Sequence, residues 1–233
     1  MRTAVIQPNY LPWRGYFDII DDVELFVFYD DVQYTKNDWR NRNRLKAPRG
    51  AEWITVPVVH DCLTQRICDT RIDWSQPWVR RHINQIKANY GRAKYFSCYA
   101  PELFALIERR NETIADLDIG LTLWAMRMLG IETRTIRSSG ICCAGKLNER
   151  LLAVLDRVGA TEYLSGPAGV DYMDLDAFRA AGIAVEVKVY DYPAYEQLWG
   201  AFSGEMSVID LLFNEGPNAQ AFLKSNARNR RIC

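Results

Sequence analysis

The feature that most constrains this chain is the recurrence of short apolar runs, the length of strands, between longer segments with the spacing of amphipathic helices. Ala4-Val5-Ile6 is one such run, closed by Pro8, and Glu24-Leu25-Phe26-Val27-Phe28-Tyr29 is a second, ending at Asp30-Asp31. Between them, Tyr16 to Asp22 has room for a helical turn or two. Strands are predicted again at Trp53 to Val58, with Pro57 marking an edge or a strand end, and at Thr133 to Ile136, Glu162 to Leu164 and Ala184 to Val189. A helix is predicted over Trp78 to Tyr90, where Val79, Ile83, Ile86 and Tyr90 fall at spacings of three and four. Others are predicted over Pro101 to Leu129, broken near Asn111, over Lys146 to Val158, over Leu175 to Ala181, and over Ser207 to Phe213 with Ser207 as N-cap. Gly130 and Gly182 suit helix ends. This alternation predicts an α/β fold: a doubly wound, mainly parallel sheet with helices on both faces. The polar, basic tail Asn226 to Cys233 is expected to fray.

A chain of 233 residues without a break in composition is expected to form a single α/β domain, 1–233, with room for a helical insertion around 53–95. Hydrophobic residues at 48% and charged residues at 25% belong to a folded globular chain. Lys plus Arg equals Asp plus Glu at 29 each, so no whole-molecule field attracts nucleic acid, and any anion recognition must be local. No stretch approaches the roughly 18 apolar residues of a membrane span, and the first run is too short for a signal segment. A cytoplasmic protein is expected. Its six cysteines (62, 68, 98, 142, 143 and 233) show no CxxC spacing, which predicts reduced thiols.

Ligands of open α/β sheets bind beyond the carboxyl ends of strands. Two such ends carry the candidate chemistry. The first is Gln7-Pro8-Asn9-Tyr10-Leu11-Pro12-Trp13-Arg14-Gly15-Tyr16. There Tyr10 or Trp13 is expected to hold a flat ligand, with backbone amides near Gly15 turned to an anion; the alternative is a rigid loop whose aromatics pack inward. The second is Tyr29-Asp30-Asp31-Val32-Gln33-Tyr34-Thr35-Lys36, followed by Trp39-Arg40-Asn41-Arg42-Asn43-Arg44. Adjacent carboxylates point opposite ways, so one of Asp30 and Asp31 faces a ligand and the other braces. Lys36, Arg42 and Arg44 with Asn41 and Asn43 suit a phosphate or carboxylate; the alternative is a solvated basic turn.

His82 follows Arg81 and precedes Lys87 on its helix, cations that disfavour its protonated form, which leaves open a neutral general base or an exposed or core-edge histidine. His60, Cys62 and Cys68 have an unusual spacing for zinc and no obvious fourth ligand, so no metal site is expected. Cys142 and Cys143 have no histidine nearby in sequence and read as structural. Tyr163-Leu164-Ser165-Gly166-Pro167-Ala168-Gly169 is a strand running into a small-residue loop, where Ser165 and Gly166 either meet a phosphate or hydroxyl or make a tight turn.

Taken together, these motifs resemble the WbqC-like family, whose members occur mainly in bacterial surface-polysaccharide (O-antigen) and specialised-metabolism settings. The resemblance rests on Gln7 to Trp13, on Tyr-Asp-Asp-Val-Gln-Tyr at 29 to 34, on Asn41-Arg42-Asn43, on Trp78 with His82, on Tyr-Leu-Ser-Gly at 163 to 166 and on Asp-Leu-Leu-Phe-Asn at 210 to 214. It implies acyl or aminoacyl transfer, of a glycine type, to an amine of a small molecule or nucleotide sugar. In that reading His82 takes the amine proton, Asp30 or Asp31 orients the amine, Lys36, Asn41 and Arg42 hold the donor's anion, and Tyr10 and Trp13 stack on a ring. Gln7, Gly15, Tyr16, Gln33, Asn43, Ser165 and Gly166 complete the expected substrate contacts, with a nucleotide sugar or acyl carrier as partner and no cofactor specified. The segment Pro8 to Tyr16 is also similar to a degenerate HxGH signature of nucleotidyl-transferring HUP-type folds, a Rossmann-like group. Trp13 and Tyr16 stand where its histidines would be, and no KMSKS-like motif follows. The other expectation, from a different class, is a non-catalytic nucleotide or sugar-nucleotide binding protein.

Overall fold

The first apolar run forms β1 (Arg2–Ile6), whose successive side chains serve opposite faces of a sheet: Ala4 enters one hydrophobic core and Val5 another. β2 (Leu25–Phe28) repeats the division, with Phe26 and Phe28 in the first core and Leu25 and Val27 in the second. All four side chains of β2 are buried, each contributing about 1.5–3 kcal/mol by leaving water. A strand apolar on both faces needs cover on both. In the computed structural model, which describes residues 1–141 and 143–233, helices supply it. α1 (Arg14–Asp21), α4 (Ile114–Met128) and α7 (Val208–Glu215) fill the first core with Phe17, Leu121 and Leu212, among others. α5 (Leu147–Arg157) and α6 (Leu175–Ala180) fill the second with Val154, Leu155 and Phe178.

Among the described residues, β3 (Arg42–Ala47) and β4 (Gly50–Thr55) form a separate antiparallel hairpin, while β5 (Arg134–Arg137), β6 (Glu162–Ser165), β7 (Ala184–Val187) and β8 (Arg230–Arg231) join β1 and β2. The sheet order is β5-β2-β1-β6-β7-β8, parallel throughout except for the β7–β8 edge. The chain thus winds outward from β1 through β2 to β5, then crosses back to the other side of β1 at β6. Beyond the carboxyl ends of β1 and β6 the flanking loops diverge, and a crevice opens.

Three features differ from the sequence expectation. The tail does not fray: Arg230 and Arg231 pair with Val187 and Glu186, and Asn229 Nδ2 donates to Asp22 Oδ2 at 2.7 Å. The basic segment around Arg42 and Arg44 is a strand rather than a turn, because its partner β4 and the side chains beneath it replace solvent on one face. The material between β2 and β5 also extends beyond 53–95, comprising the hairpin, α2 (Trp78–Tyr90), α3 (Phe96–Glu108) and α4. Among the described residues no helix is long and apolar enough to cross a membrane.

Candidate functional site

The loop leaving β1 is held from two sides. Asn43 on β3 donates through Nδ2 to the carbonyls of Tyr10 and Leu11 at 3.0 and 2.8 Å, and Tyr10 N donates to the Trp39 carbonyl at 2.9 Å. Leu11 sits at φ 44°, a left-handed conformation that these bonds and its full burial enforce. From the other side, Val208 N at the start of α7 donates to the Pro12 carbonyl at 2.8 Å. Ser207 N in turn donates to the Arg44 carbonyl at 3.0 Å, so hairpin, loop and α7 form one cradle. Ser207 stands at the N-cap of α7, but its side chain makes no capping bond.

Within this cradle Trp13 ends the loop, and its indole folds back over the first turn of α1. A Cβ on Gly15 would lie 2.3 Å from Trp13 Cζ2, so the glycine provides the space for the ring. Gly15 therefore seats an indole, where an anion was expected. Tyr190 and Tyr192 meet the same indole edge-on, with centroids at 4.8 and 5.6 Å.

These walls enclose a cleft of about 620 Å³ at the carboxyl ends of β1 and β6. Gln7, Asn9, Trp13, Tyr16, Trp39 and Arg40 line one side; Tyr29, Tyr163, Ser165, the 166–169 loop and Tyr190 line the other. A smaller chamber of about 260 Å³ adjoins it, sharing Asn9, Trp13, Trp39 and Tyr190 and adding Pro12, Asn43, Arg44 and Glu205. The glycines of the 166–169 loop are needed for its tight course: a Cβ on Gly169 would fall 2.5 Å from Ser165 Oγ, and one on Gly166 would fall 3.1 Å from the Tyr190 hydroxyl. Ser165 Oγ donates to the Gly166 carbonyl at 3.0 Å. Burial pushes the Tyr29 and Tyr190 phenols up to about 12 and raises Tyr16 and Tyr163 as well, so all four stay protonated and serve as hydrogen-bond donors rather than bases. The Tyr16 hydroxyl already donates to the Gln7 carbonyl at 3.1 Å.

Of the residues singled out in the sequence, the structure gathers Gln7, Trp13, Tyr16, Ser165 and Gly166 in the cleft and Asn43 in the adjoining chamber. Arg44 also lines the adjoining chamber, where it pairs with Glu205, and the remaining candidates lie elsewhere. Tyr10 is fully buried, and its hydroxyl lies 2.9 Å from His82 Nδ1. His82 Nε2 lies 2.9 Å from the Thr55 carbonyl. A carbonyl can only accept, so Nε2 carries the proton and Nδ1 accepts from Tyr10. Burial, with Arg81 adding to it and the Thr55 hydrogen bond opposing, lowers the His82 pKa to about 4. The imidazole is neutral, as a general base must be, but both nitrogens are engaged in the core, edge-on to Trp78, and the ring does not line the cleft.

Asp30 and Asp31 point away from the cleft, toward β5 and α5. Ser138 Oγ donates to Asp31 Oδ1 at 2.5 Å and lies 3.2 Å from Asp30 Oδ1; Asp30 accepts from Ser139 N and Ser139 Oγ at 2.9 and 2.8 Å, and Asp31 pairs with Arg150. Both carboxylates brace strand ends. Asn41 Nδ2 donates to the Val56 carbonyl at 2.7 Å, also within the core. Arg42 lies over Trp53 at 4.2 Å, with Nη2 on the Asn37 carbonyl, while Gln33 and Lys36 are exposed and line neither chamber.

Asn9, Tyr29, Trp39, Arg40, Tyr163 and Tyr190 are lining residues the sequence reading did not assign. Arg40 had a visible signal, as one of a run of arginines, but its selection depends on strand pairing. Cys143 packs at the margin of the second core, and Cys142 lies outside the described residues. Among the described residues no group of three His, Cys, Asp or Glu side chains could hold a metal ion, and His60 packs against the Tyr34 ring at 5.4 Å.

Three segments quoted for the resemblance, Gln7 to Trp13, Asn41 to Asn43 and Asp210 to Asn214, thus belong to one cradle. The profile of the WbqC-like protein family matches residues 7–222. The chain belongs to the WbqC-like family. It is also similar to a protein of Mycobacterium tuberculosis (strain ATCC 25618 / H37Rv) described as "Uncharacterized protein Rv1507c", at 41% identity over 226 residues, 96% of this chain and 97% of that one. No solved structure matches the chain significantly. For this WbqC-like chain, the cleft between β1 and β6 is the candidate site.

Proposed function

We propose that the cleft binds a small molecule carrying a flat ring, a nucleotide or sugar nucleotide. The observation that carries this reading is the placement of a chamber walled by Trp13, Trp39 and Tyr190 at the crossing point of a sheet wound β5-β2-β1-β6-β7. Counting sheet strands alone, that is the order in which dinucleotides bind at the β1 carboxyl end, and a Rossmann-like ancestry shared with HUP-type folds is part of the proposal. Trp39 and Tyr190 are 38% and 40% exposed, which leaves ring faces for stacking. The protonated phenols and the Ser165 hydroxyl supply the polar contacts. A cytoplasmic setting and a place in making surface polysaccharides or specialised metabolites are part of this proposal, supported by the family to which the chain belongs.

A second reading, acyl or aminoacyl transfer to an amine, is favoured by one observation: two chambers meet at Asn9, Trp13, Trp39 and Tyr190, so two ligands have room side by side. Among the described residues, the larger chamber is lined by no histidine or carboxylate, and Glu205 is the one carboxylate of the smaller. Catalysis in this reading rests on positioning. Calorimetric titration with nucleosides, nucleotides, sugar nucleotides and acyl carriers, followed by mass spectrometry of the bound small molecules, separates the two. Saturable binding without mass change supports the first reading, a transferred group supports the second, and no binding at all sinks both.

A further inference from the structure

We propose that Arg40 is the anion receptor of the cleft, holding a phosphate group of the ligand. This deepens the nucleotide reading and rests on it. Arg40 stands just before β3, and its side chain is 9% exposed, yet it lines the 620 Å³ cleft beside Gln7 and Asn9. A buried guanidinium needs its donors met and its charge answered. Here both needs are incompletely met. Nη1 bonds Asn9 Oδ1 and reaches the Pro8 carbonyl only at 3.4 Å, Nη2 stands 3.5 Å from Asp38 Oδ2, and Nε is buried with no partner among the described residues.

The other buried carboxyl near this guanidinium does not answer the charge. Asp118 on α4 is fully buried, and among the described residues neither of its oxygens has a hydrogen-bond partner. It forms no ion pair with Arg40 among the described residues, and burial holds its carboxyl well above the usual carboxylate range, with Arg40 pulling the other way, which favours the uncharged acid. Asp38, itself a third exposed, is then the one carboxylate within ion-pair distance of Arg40 among the described residues. Arg40 is protonated at any physiological pH, although burial lowers its pKa. The fold therefore holds a fixed, under-compensated positive charge at the wall of a cleft whose remaining lining is neutral. A phosphate group against this wall supplies the missing charge and offers the Nη donors a stronger acceptor than Asn9 or the Pro8 carbonyl. Arg42 and Arg44 also have a buried Nε without a partner among the described residues, but Arg42 lies over Trp53 outside the cleft and Arg44 is paired with Glu205, so Arg40 is the one cation on the wall of the larger cleft among the described residues.

Inorganic pyrophosphate is the probe, titrated into the full chain and followed by tryptophan fluorescence, since Trp13 and Trp39 line the same cleft. Saturable binding that weakens as NaCl rises is expected. Arg40→Met should lose about tenfold or more in affinity, and Arg40→Lys, which keeps the charge and loses the fork, should fall between. Asp118→Asn should leave affinity within about twofold, because a neutral acid is being exchanged for a neutral amide. A large gain in that variant would mean that Asp118 is ionised and already answers Arg40, and would overturn the proposal; so would unsaturable pyrophosphate binding. A further comparison needs no variant: adenosine against ADP and uridine against UDP. Equal affinities sink the role of Arg40 while the cleft reading stands, whereas binding of none of the four removes the nucleotide reading on which it rests.

Discussion

His82 shows how burial decides what a residue can do. A histidine is a useful base at neutral pH only if a substrate can reach it, and here the Tyr10 hydroxyl and the Thr55 carbonyl occupy both nitrogens. The consequence is a pH-dependent stability. In the unfolded chain the ring titrates near 6.5, whereas in the fold it resists protonation down to about 4. Between those values the unfolded state binds the extra proton, so the stability is fully present above 6.5 and is lost as pH falls. From pH 7 to pH 5 the loss should be on the order of 2 kcal/mol in urea unfolding, and His82→Gln should flatten that slope while leaving nucleotide binding in place. A variant that kept the wild-type slope would place the titration elsewhere. Gly15 makes the opposite case, a residue whose value is what it lacks. Gly15→Ala must move the Trp13 indole, so it should cost about 1–3 kcal/mol and shift the tryptophan emission. A change under roughly 0.5 kcal/mol with unaltered emission would show that the ring is free to move.

At the scale of elements, the parts written in local apolar pattern were legible and the parts written in pairing were not. The helix predicted over Trp78 to Tyr90 is α2 to the residue, and the same spacing held a warning: His82 lies four residues from both Trp78 and Ile86, on the buried stripe. β1 and β2 were legible because each is apolar on both faces. β3 was not, because Arg42, Asn43, Arg44 and Lys46 present no alternating hydrophobic signal. Its strand character comes from β4, from Arg42 stacked on Trp53 and from Asn43 turned inward to the β1 loop. For the same reason Gln7, Trp13, Tyr16, Ser165, Gly166 and Asn43 could be named as chamber residues, while Tyr190 and Arg40 needed the fold. Asn43→Ala tests the hairpin's part in the cradle. It deprives two backbone carbonyls of their donor beside a left-handed Leu11, so a loss of about 1–3 kcal/mol is expected, together with weaker binding in the adjoining cleft. Wild-type stability with wild-type binding would mean that the loop holds its shape unaided.

Across the whole molecule, the end of β7 is bound to α1 by charge and the tail is hydrogen-bonded to the same carboxylates, over sequence distances that no local pattern reports. Lys188, at the end of β7, is 5% exposed and places Nζ 2.8 Å from Asp18 Oδ1 and 3.0 Å from Asp22 Oδ2. The contact with Asp18 is an ion pair by distance, off the hydrogen-bond direction, and the other Asp18 oxygen accepts from the Tyr192 hydroxyl and from Ser225 N at 2.9 and 3.1 Å. Asn229 closes the group through Asp22. α1, β7 and the tail are thereby joined behind Tyr190 and Tyr192, the rings that pack on Trp13, so the cleft wall depends on this cluster. Removing one partner of a buried pair leaves the other charge desolvated and unanswered, which costs more than the pair itself contributes. Lys188→Met should therefore destabilise the fold by about 3 kcal/mol, toward the lower end for such breaks because Lys224 remains 3.6 Å from Asp18. Adding Asp18→Asn to it removes the stranded charge, so the double variant should recover part of the loss in its urea midpoint. A single variant within about 0.5 kcal/mol of wild type, or a double variant less stable than the sum of the two single changes, would show that α1 and the end of β7 are held together by packing alone.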